Sequence, residues 1–336
     1  MSCMKTSLRR VALLLALLAM LTAASARGET AQKPPEFVPG SWTLIVLPDT
    51  QFYSESYPGL FTLQTHWIVK NKDKYNIRYV FQLGDITNDS RGWEWERARD
   101  AMSELDGKVP YALVPGNHDY RARKPRTRET RLNEYFPLSK FKGWPTFGGA
   151  MNGDMCNTYH LYSAGGTDWI VLALEYAPRN ATVRWANDVL AKYPQRKAIL
   201  ITHVYLYNDS TRYDYAKKGK SQSWSPHERG AYNAGDDVND GEELWQKLVR
   251  KNDFALTFNG HVLGSGLGFL SSKNDRGKTM HQMLVNYQTR KLGGEAYLRI
   301  LEFLPDGRTV HVKSYSPLYD KYLDDAGNHF SFELDP

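Results

Sequence analysis

The feature that most constrains the fold of this chain is a series of short, β-branched apolar runs that end in small or polar residues. Five runs have the pattern of buried strands. They extend from Thr43 to Asp49, Tyr79 to Asp85, Tyr111 to Gly116, Ala198 to His203 and Phe254 to Gly260. Helical patterns lie between several of them, at Gly59 to Tyr75, Trp93 to Leu105, Ala181 to Tyr193 and Gly241 to Lys251. Strands that alternate with helices predict an α/β fold with mainly parallel strands.

The last third of the chain has four strand patterns and few helical signals. These are Gly266 to Ser272, His281 to Gln288, Tyr297 to Leu304 and Thr309 to Ser316. Residues Leu304-Pro305-Asp306-Gly307 are typical of a hairpin turn. We expect these strands to form a second sheet that packs on the first. Since no internal repeat or linker follows residue 41, we predict one domain over residues 41–336 after an extended leader at 27–40.

The first 26 residues have the pattern of a secretory signal peptide. Lys5, Arg9 and Arg10 precede an apolar run from Val11 to Leu21, and the small residues Ala24-Ser25-Ala26 close the segment. Because this run is shorter than the roughly twenty residues of a bilayer span, we favour cleavage over a retained anchor. The mature chain is therefore predicted to be secreted or periplasmic, without a membrane span.

Charge and cysteine content exclude some classes of partner and linkage. Cleavage after Ala26 would remove three of the 43 basic residues and none of the 37 acidic ones, leaving a formal charge near +3. Such an even balance gives no electrostatic footprint for nucleic acid. Only Cys156 would remain, so no disulfide within the chain is expected. The oligomeric state is not readable from the sequence.

Polar side chains with metal-binding atoms follow the five strand patterns directly. They are Asp49, Asp85, Asn117, His203 and His261. A single such residue is usually a turn or a cap, but ligands of open α/β sheets gather at the carboxyl ends of the strands. Carboxylates, an amide oxygen and imidazoles form a donor set suited to Zn, Mn or Fe.

The motifs around these residues resemble those of the calcineurin-like metallophosphoesterases, including their order along the chain. The matching blocks are Pro48-Asp49-Thr50-Gln51, Gly84-Asp85, Gly116-Asn117-His118-Asp119, Thr202-His203 and Gly260-His261. The resemblance covers residues 42 to 316, and the Gly-Asn-His-Asp block is its most specific part. It implies an α/β fold made of a two-sheet β-sandwich flanked by helices, which agrees with the strand and helix patterns.

The resemblance also implies a role for each motif residue. Asp85 would bridge two metals, with Asn117, His203 and His261 completing the second metal position and Asp49 and Gln51 serving the first. Water activated by the metals would attack phosphorus. His118 would protonate the leaving group, and Asp119 would orient the His118 ring.

Two positions depart from the family pattern, and both affect the first metal position. Gln51 and Leu263 stand where the family usually has histidines, although an exported subgroup is similar to this chain at both positions. Oxygen ligands alone favour Mg, Mn or Ca over Zn, or weak occupancy, so we expect one or two divalent ions. His281, Gln282, Asn286 and Gln288 are candidate replacement contacts, though polar strand residues are more often solvated.

Three further residues are candidates for binding substrate phosphate. Asn88 follows the Gly-Asp block, but asparagine in a loop is by default a turn former. Arg128 and Arg131 belong to a basic segment after Asp119, which is either a solvated loop or a rim for an anionic substrate.

The leading hypothesis is therefore a metal-dependent phosphoesterase, a phosphatase or phosphodiesterase acting on an unidentified phosphate ester. Two alternatives remain open at this point. One is a nuclease or cyclic-nucleotide phosphodiesterase, which the modest charge does not favour. The other is a non-catalytic binding protein on a degenerate phosphoesterase scaffold, which the missing histidines favour and the intact His118-Asp119 pair does not.

Overall fold

The computed structural model describes residues 36–121, 124–229 and 232–335. The predicted signal peptide and residues 27–35 of the predicted leader lie outside these ranges. The chain from Phe37 onward forms one compact unit. No helix within the described ranges combines the length and the apolar character needed to cross a bilayer.

The described residues form fourteen strands. They are β1 (Trp42–Leu47), β2 (Ile77–Gln82), β3 (Tyr111–Leu113), β4 (Phe147–Met151), β5 (Asp154–Ala164), β6 (Thr167–Ala173), β7 (Lys197–Ile201), β8 (Phe254–Asn259), β9 (Leu267–Lys273), β10 (Thr279–Val285), β11 (Leu298–Phe303), β12 (Thr309–Ser316), β13 (Lys321–Leu323) and β14 (Phe330–Glu333). All nine predicted strands are confirmed to within a few residues. The sequence patterns missed β4 to β6, β13 and β14.

Helices connect several of these strands. They are α1 (Gln51–Ser56), α2 (Pro58–Asn71), α3 (Gly92–Ser103), α4 (Leu132–Tyr135), α5 (Leu138–Phe141), α6 (Asn180–Ala191), α7 (Tyr215–Lys218) and α8 (Gly241–Leu244). A π-helical turn at Trp245–Val249 continues α8, and Lys291–Gly294 is a distorted single turn. The four predicted helices are confirmed with small shifts at their ends, while α1, α4, α5 and α7 were not predicted.

The strands build two seven-stranded sheets. The first has the order β13-β12-β11-β1-β2-β3, with β14 also paired to β12, and the second has the order β4-β5-β6-β7-β8-β10-β9. Strands β1, β2 and β3 run parallel, as do β6, β7, β8 and β10. The remaining pairs are antiparallel, so both sheets are mixed.

The expectation that the last third forms a sheet of its own is wrong. Strands β9 and β10 extend the second sheet, whereas β11 pairs antiparallel with β1 and brings β12 to β14 into the first. Residue alternation sets which face of a strand is buried but not which strand lies beside it. The predicted hairpin turn is confirmed between β11 and β12, where Gly307 has a φ of +73°.

Three layers of apolar side chains hold the sandwich together. One lies between the two sheets and includes Phe81 and Phe258. Helices α2 and α3 cover the outer face of the first sheet with residues such as Trp95. Helix α6 and the α8 region cover the second sheet with residues such as Val183 and Leu248. The predicted fold class, a two-sheet sandwich flanked by helices, is confirmed.

This topology places the five polar strand ends together. β1, β2 and β3 are parallel neighbours in the first sheet, and β7 and β8 are parallel neighbours in the second. Parallel neighbours present their carboxyl ends at the same edge of a sheet. The residues that follow these five strands therefore meet where the two sheets face each other.

Candidate metal centre

Two carboxylates and an imidazole form the centre of the site. Ligand atoms of Asp49, Asp85 and His203 all lie within 4.8 Å of one another. The three residues are at most 2% exposed. Two carboxylates this close and this buried repel each other unless a positive charge lies between them.

Asp85 is held in a strained backbone conformation. Its φ of +48° is unusual for a residue other than glycine, and it follows Gly84 with a φ of +93°. The backbone N–H of His118 donates to Asp85 Oδ1 at 2.9 Å. Gly116 approaches so closely that a Cβ there would lie 2.1 Å from the same oxygen. The glycines of the two motifs thus provide space for the Asp85 carboxylate.

Asp49 is held by groups from the second sheet. The backbone N–H of His261 donates to both carboxylate oxygens, at 3.2 and 3.1 Å, and Asn286 Nδ2 donates to Oδ2 at 2.8 Å. A Cβ on Gly260 would lie 1.9 Å from Asp49 Oδ1. Asn286 therefore contacts a candidate ligand and supports it.

Two of the other strand residues considered as replacement contacts, His281 and Gln282, have other partners. The ring of His281 lies between Ser271 Oγ and the Glu333 carbonyl, and Gln282 bonds to the Tyr205 hydroxyl. Gln288 Oε1, in contrast, is buried and has no hydrogen-bond partner within the described residues, so a contact of Gln288 with a metal stays a prediction.

The two strand-end histidines are oriented by backbone carbonyls. His203 Nδ1 lies 2.8 Å from the Leu83 carbonyl, and His261 Nε2 lies 2.9 Å from the Trp224 carbonyl. A carbonyl only accepts, so these nitrogens carry protons and leave His203 Nε2 and His261 Nδ1 as the lone-pair atoms. The ring centroids are 5.0 Å apart. Histidine ligands of metals are commonly oriented in this way.

Three buried atoms of the predicted metal ligands have no hydrogen-bond partner within the described part of the chain. They are Gln51 Oε1, Asn117 Oδ1 and His203 Nε2. The Gln51 amide nitrogen donates to Asn88 Oδ1 at 3.3 Å, which leaves its oxygen free. His203 Nε2 lies 3.3 Å from Asp85 Oδ2 without satisfactory hydrogen-bond geometry. Because buried polar atoms are nearly always paired, this donor set fits divalent cations.

Burial and charge shift the pKa values of the ligands in opposite directions. Burial, with the Asp85 charge adding to it, raises the pKa of Asp49 to about 8. Burial also acts to raise the pKa of Asp85, but the charges of His203 and His118 outweigh it and lower that pKa. Burial acts to lower the pKa of His203, but the charges of the two carboxylates outweigh it and raise that pKa to about 9. A divalent cation would replace the proton on His203 as the positive charge that offsets both carboxylates.

His118 lies next to this centre with its ring fixed by Asn88. The Asn88 carbonyl lies 2.8 Å from His118 Nδ1, so Nδ1 carries a proton and Nε2 is the nitrogen left for chemistry. The prediction that Asp119 orients this ring is wrong. The Asp119 carboxylate accepts from the backbone N–H groups of Gly116, Ile86 and Thr87 and from the Thr87 hydroxyl, at 2.8 to 3.0 Å. It stabilises the loops instead.

The chain matches the family model of calcineurin-like phosphoesterases over residues 43–265. It belongs to the calcineurin-like phosphoesterase family. A Bacillus subtilis (strain 168) relative, the uncharacterized protein YvnB, is 33% identical over 305 residues, which cover 87% of this chain and 21% of YvnB. The chain thus spans about a fifth of the length of that relative.

Two solved structures share the fold. Purple acid phosphatase PPD1 from yellow lupin (Lupinus luteus) seeds has a TM-score of 0.51 and 13% identity, covering 88% of this chain and 54% of that chain. GAP50, the anchor in the inner membrane complex of Plasmodium, has a TM-score of 0.50 and 12% identity, covering 88% of this chain and 90% of its own. At these identities the likeness concerns the fold alone.

Asn88 contacts both His118, the candidate acid, and Gln51, a candidate ligand of the first metal position. The Asn88 carbonyl orients the His118 ring. In the Asn88 side chain, Oδ1 accepts from Gln51 Nε2 and Nδ2 donates to Glu55 at 2.8 Å. A direct role for Asn88 in substrate binding stays a prediction. Leu263, which lacks a ligand atom in its side chain, offers only its carbonyl, and that accepts from Asn208.

One of the two arginines predicted to bind substrate has a structural role. The Arg128 guanidinium donates to the carbonyls of Tyr176, Ala177 and Ala234 and to the Tyr120 hydroxyl. Its side chain is only 11% exposed. The protein uses the four Nη protons of Arg128, whereas Arg128 Nε has no hydrogen-bond partner within the described residues, so a contact of Arg128 with substrate stays a prediction. Arg131 forms an ion pair with Glu134 at 2.8 Å, and its contact with substrate stays a prediction.

Replacing Arg128 with alanine should therefore lower the free energy of unfolding by about 3 kcal/mol, because buried carbonyls would lose charged donors. Arg131→Ala is the matched control and should change stability by about 0.5 kcal/mol or less, as expected for a partly exposed ion pair. Urea unfolding of both variants measures the difference. Equal effects of the two substitutions would contradict the assigned role.

Two residues near the candidate ligand histidines were not predicted from the sequence. Trp224, with a φ of +64°, supplies the carbonyl that orients His261. Tyr176 follows β6, with its ring centroid 5.9 Å from that of His203 and 5.6 Å from that of His261. The strand-end rule would have found Tyr176 had β6 been recognised, whereas nothing in the sequence marks a loop carbonyl.

Proposed function

We propose that this chain hydrolyses a phosphate ester with one or two divalent cations at the Asp85 centre. The observation that carries the proposal is the set of unpartnered buried ligand atoms on Gln51, Asn117 and His203, next to two buried carboxylates. Asp49 and Gln51 would hold the first cation, Asn117, His203 and His261 the second, and Asp85 would contact both. When bound, divalent cations polarise phosphoryl oxygens and lower the pKa of bound water.

The residues suggest which cations each position would take. The first position offers only oxygen atoms, which favour Mg, Mn or Ca. The second combines a carboxylate, an amide oxygen and two imidazole nitrogens, which suits Mn, Fe or Zn. Family membership supports divalent metal chemistry in general, and the identity of the ions is part of the proposal.

His118 would act as the general acid. Since its Nδ1–H donates to the Asn88 carbonyl, a proton on Nε2 can pass to the leaving-group oxygen. The His118 backbone N–H also donates to Asp85, which ties the position of the acid to the metal centre.

His118→Gln should lower kcat by about 10²- to 10⁴-fold while bound metal stays unchanged, because only the proton donor is lost. Esters with good leaving groups should be affected less than esters with poor ones. Steady-state kinetics on a series of aryl phosphates, together with metal analysis, checks this. His66→Gln, at an exposed position on α2, is the control. Wild-type kcat in His118→Gln would exclude His118 as the acid.

The function itself is tested by assaying purified protein with a chromogenic monoester and a chromogenic diester, each with Mn, Zn, Mg or Ca added. We expect turnover with at least one metal, and the preferred ester shows whether the chain is a phosphatase or a phosphodiesterase. Hydrolysis of cyclic nucleotides or DNA alone would favour the nuclease or cyclic-nucleotide alternative. Absence of turnover with every metal would contradict the proposal.

A non-catalytic binding protein is the second candidate. It is favoured by Gln51 and Leu263, which replace histidines at the first metal position. GAP50, which shares the fold, is described as an anchor. Metal binding without hydrolysis would support this alternative.

We also propose that the chain is exported after cleavage of residues 1–26. The basic and apolar pattern of that segment supports the proposal. Mass spectrometry of the amino terminus of protein from the native host would show a start at Arg27. An intact amino terminus on protein that remains inside the cell would contradict it.

A further inference from the structure

Tyr176 lies beside the second metal position. It follows β6, which runs parallel to β7, and β7 leads to His203. The Tyr176 ring is next to the rings of both His203 and His261. A third side chain from a strand end thus reaches the site from the second sheet.

The Tyr176 hydroxyl is fully buried and has no hydrogen-bond partner within the described residues. A buried hydroxyl without a partner is unfavourable, and such groups are uncommon. Burial raises the pKa of Tyr176, and the nearby Asp85 charge acts in the same direction while Arg128 opposes it. The hydroxyl is therefore a neutral donor, and the Asp85 charge is near enough to affect it.

The backbone around Tyr176 is held rigidly. Arg128 donates to the carbonyls of Tyr176 and Ala177, and Ala177 has a strained φ of +46°. Glu175 accepts a bidentate pair of bonds from Arg179 at 3.0 Å, and its carbonyl accepts from Thr202, the residue before His203. A strained segment held by this many bonds is typical of a functional position.

A missing partner alone would not distinguish Tyr176 from a packed core tyrosine. The Tyr162 hydroxyl also lacks a partner within the described residues, yet Tyr162 packs between the sheets against Trp42 and Tyr79. Tyr176 instead combines three features: an unpartnered hydroxyl, contact with two candidate metal ligands, and a backbone segment held by several hydrogen bonds. Together these features point to a partner that binds at the site.

We propose that Tyr176 is a further substrate-binding residue, whose hydroxyl donates a hydrogen bond to the phosphate group bound at the metal centre. The inference rests on the proposed function. It adds a neutral donor from the second sheet to a site otherwise built from metal ligands and His118.

The test is calorimetric titration of inorganic phosphate into the full chain loaded with Mn. Tyr176→Phe should bind phosphate about 10- to 100-fold more weakly than wild type, the effect of losing one hydrogen bond to a charged oxygen. Its Mn content should be unchanged. The unfolding midpoint of metal-free Tyr176→Phe should be no lower than that of wild type, since the hydroxyl has no protein partner to lose. Tyr162→Phe, the matched control, should bind phosphate as wild type does.

Three results would overturn the inference. Equal phosphate affinity in Tyr176→Phe and wild type, with wild-type hydrolysis intact, overturns it and leaves the proposed function standing. Weaker phosphate binding accompanied by lost Mn or a lower metal-free midpoint assigns Tyr176 a structural role. A wild-type protein that neither hydrolyses esters nor binds phosphate with Mn overturns the proposed function and this inference together.

Discussion

Asp85→Asn is expected to lower kcat/KM by about 10³-fold or more and to remove most of the stabilisation that divalent metals give the protein. Asp85 is the carboxylate to which both metal positions are assigned, and it lies within 4.8 Å of the ligand atoms of Asp49 and His203. Loss of one electrostatic group in an enzyme site typically costs about 10²- to 10³-fold in rate. Loss of a shared ligand should cost more because both cations depend on it.

The stabilisation is measured separately from activity. A ligand at 100 times its Kd raises the free energy of unfolding by about 2.7 kcal/mol, so wild type should gain several degrees in Tm when metal is added. Asp85→Asn should gain much less. Asp100→Asn makes the same charge change at an exposed carboxylate on α3, and it should behave as wild type. A full metal-dependent rise in the Tm of Asp85→Asn would remove Asp85 from the site.

Gly260→Ala is expected to disrupt the first metal position without removing any ligand atom. The added Cβ would lie 1.9 Å from Asp49 Oδ1, which is too short for two non-bonded atoms. The Asp49 carboxylate or the end of β8 must therefore move. Overpacking of this kind costs about 3 kcal/mol of stability. A displaced ligand should weaken metal binding by about 10- to 100-fold.

Gly59→Ala provides the control for the glycine substitution. Nothing lies within 4 Å of a Cβ at Gly59, which is in the first turn of α2. Alanine there should be neutral or stabilising by up to about 1 kcal/mol. Thermal unfolding and metal titration of the two variants test the difference. Normal metal affinity in a folded Gly260→Ala protein would show that Asp49 is not confined as described.

The sequence by itself predicted the strand ends, the fold class and the set of candidate ligands. This was possible because a buried strand leaves a pattern in its own residues, and because the site residues follow directly after such strands. Gly116 approaches Asp85, and Gly260 approaches Asp49, too closely for either position to carry a side chain without displacing that carboxylate. A side chain at either position would occupy the place of a ligand.

Only the tertiary structure decided which strands pair and which donors are already used. β11 joins the first sheet through β1, although its own residues favour no particular neighbour. Arg128 and Asp119 have the chemistry for substrate binding and ring orientation, but both are held by backbone groups distant in sequence or in adjoining loops. Asn88 orients His118 through a carbonyl, a group that every residue possesses. The amino-acid type sets the chemistry of a side chain, whereas its free hydrogen-bonding capacity depends on which groups the fold brings into contact with it.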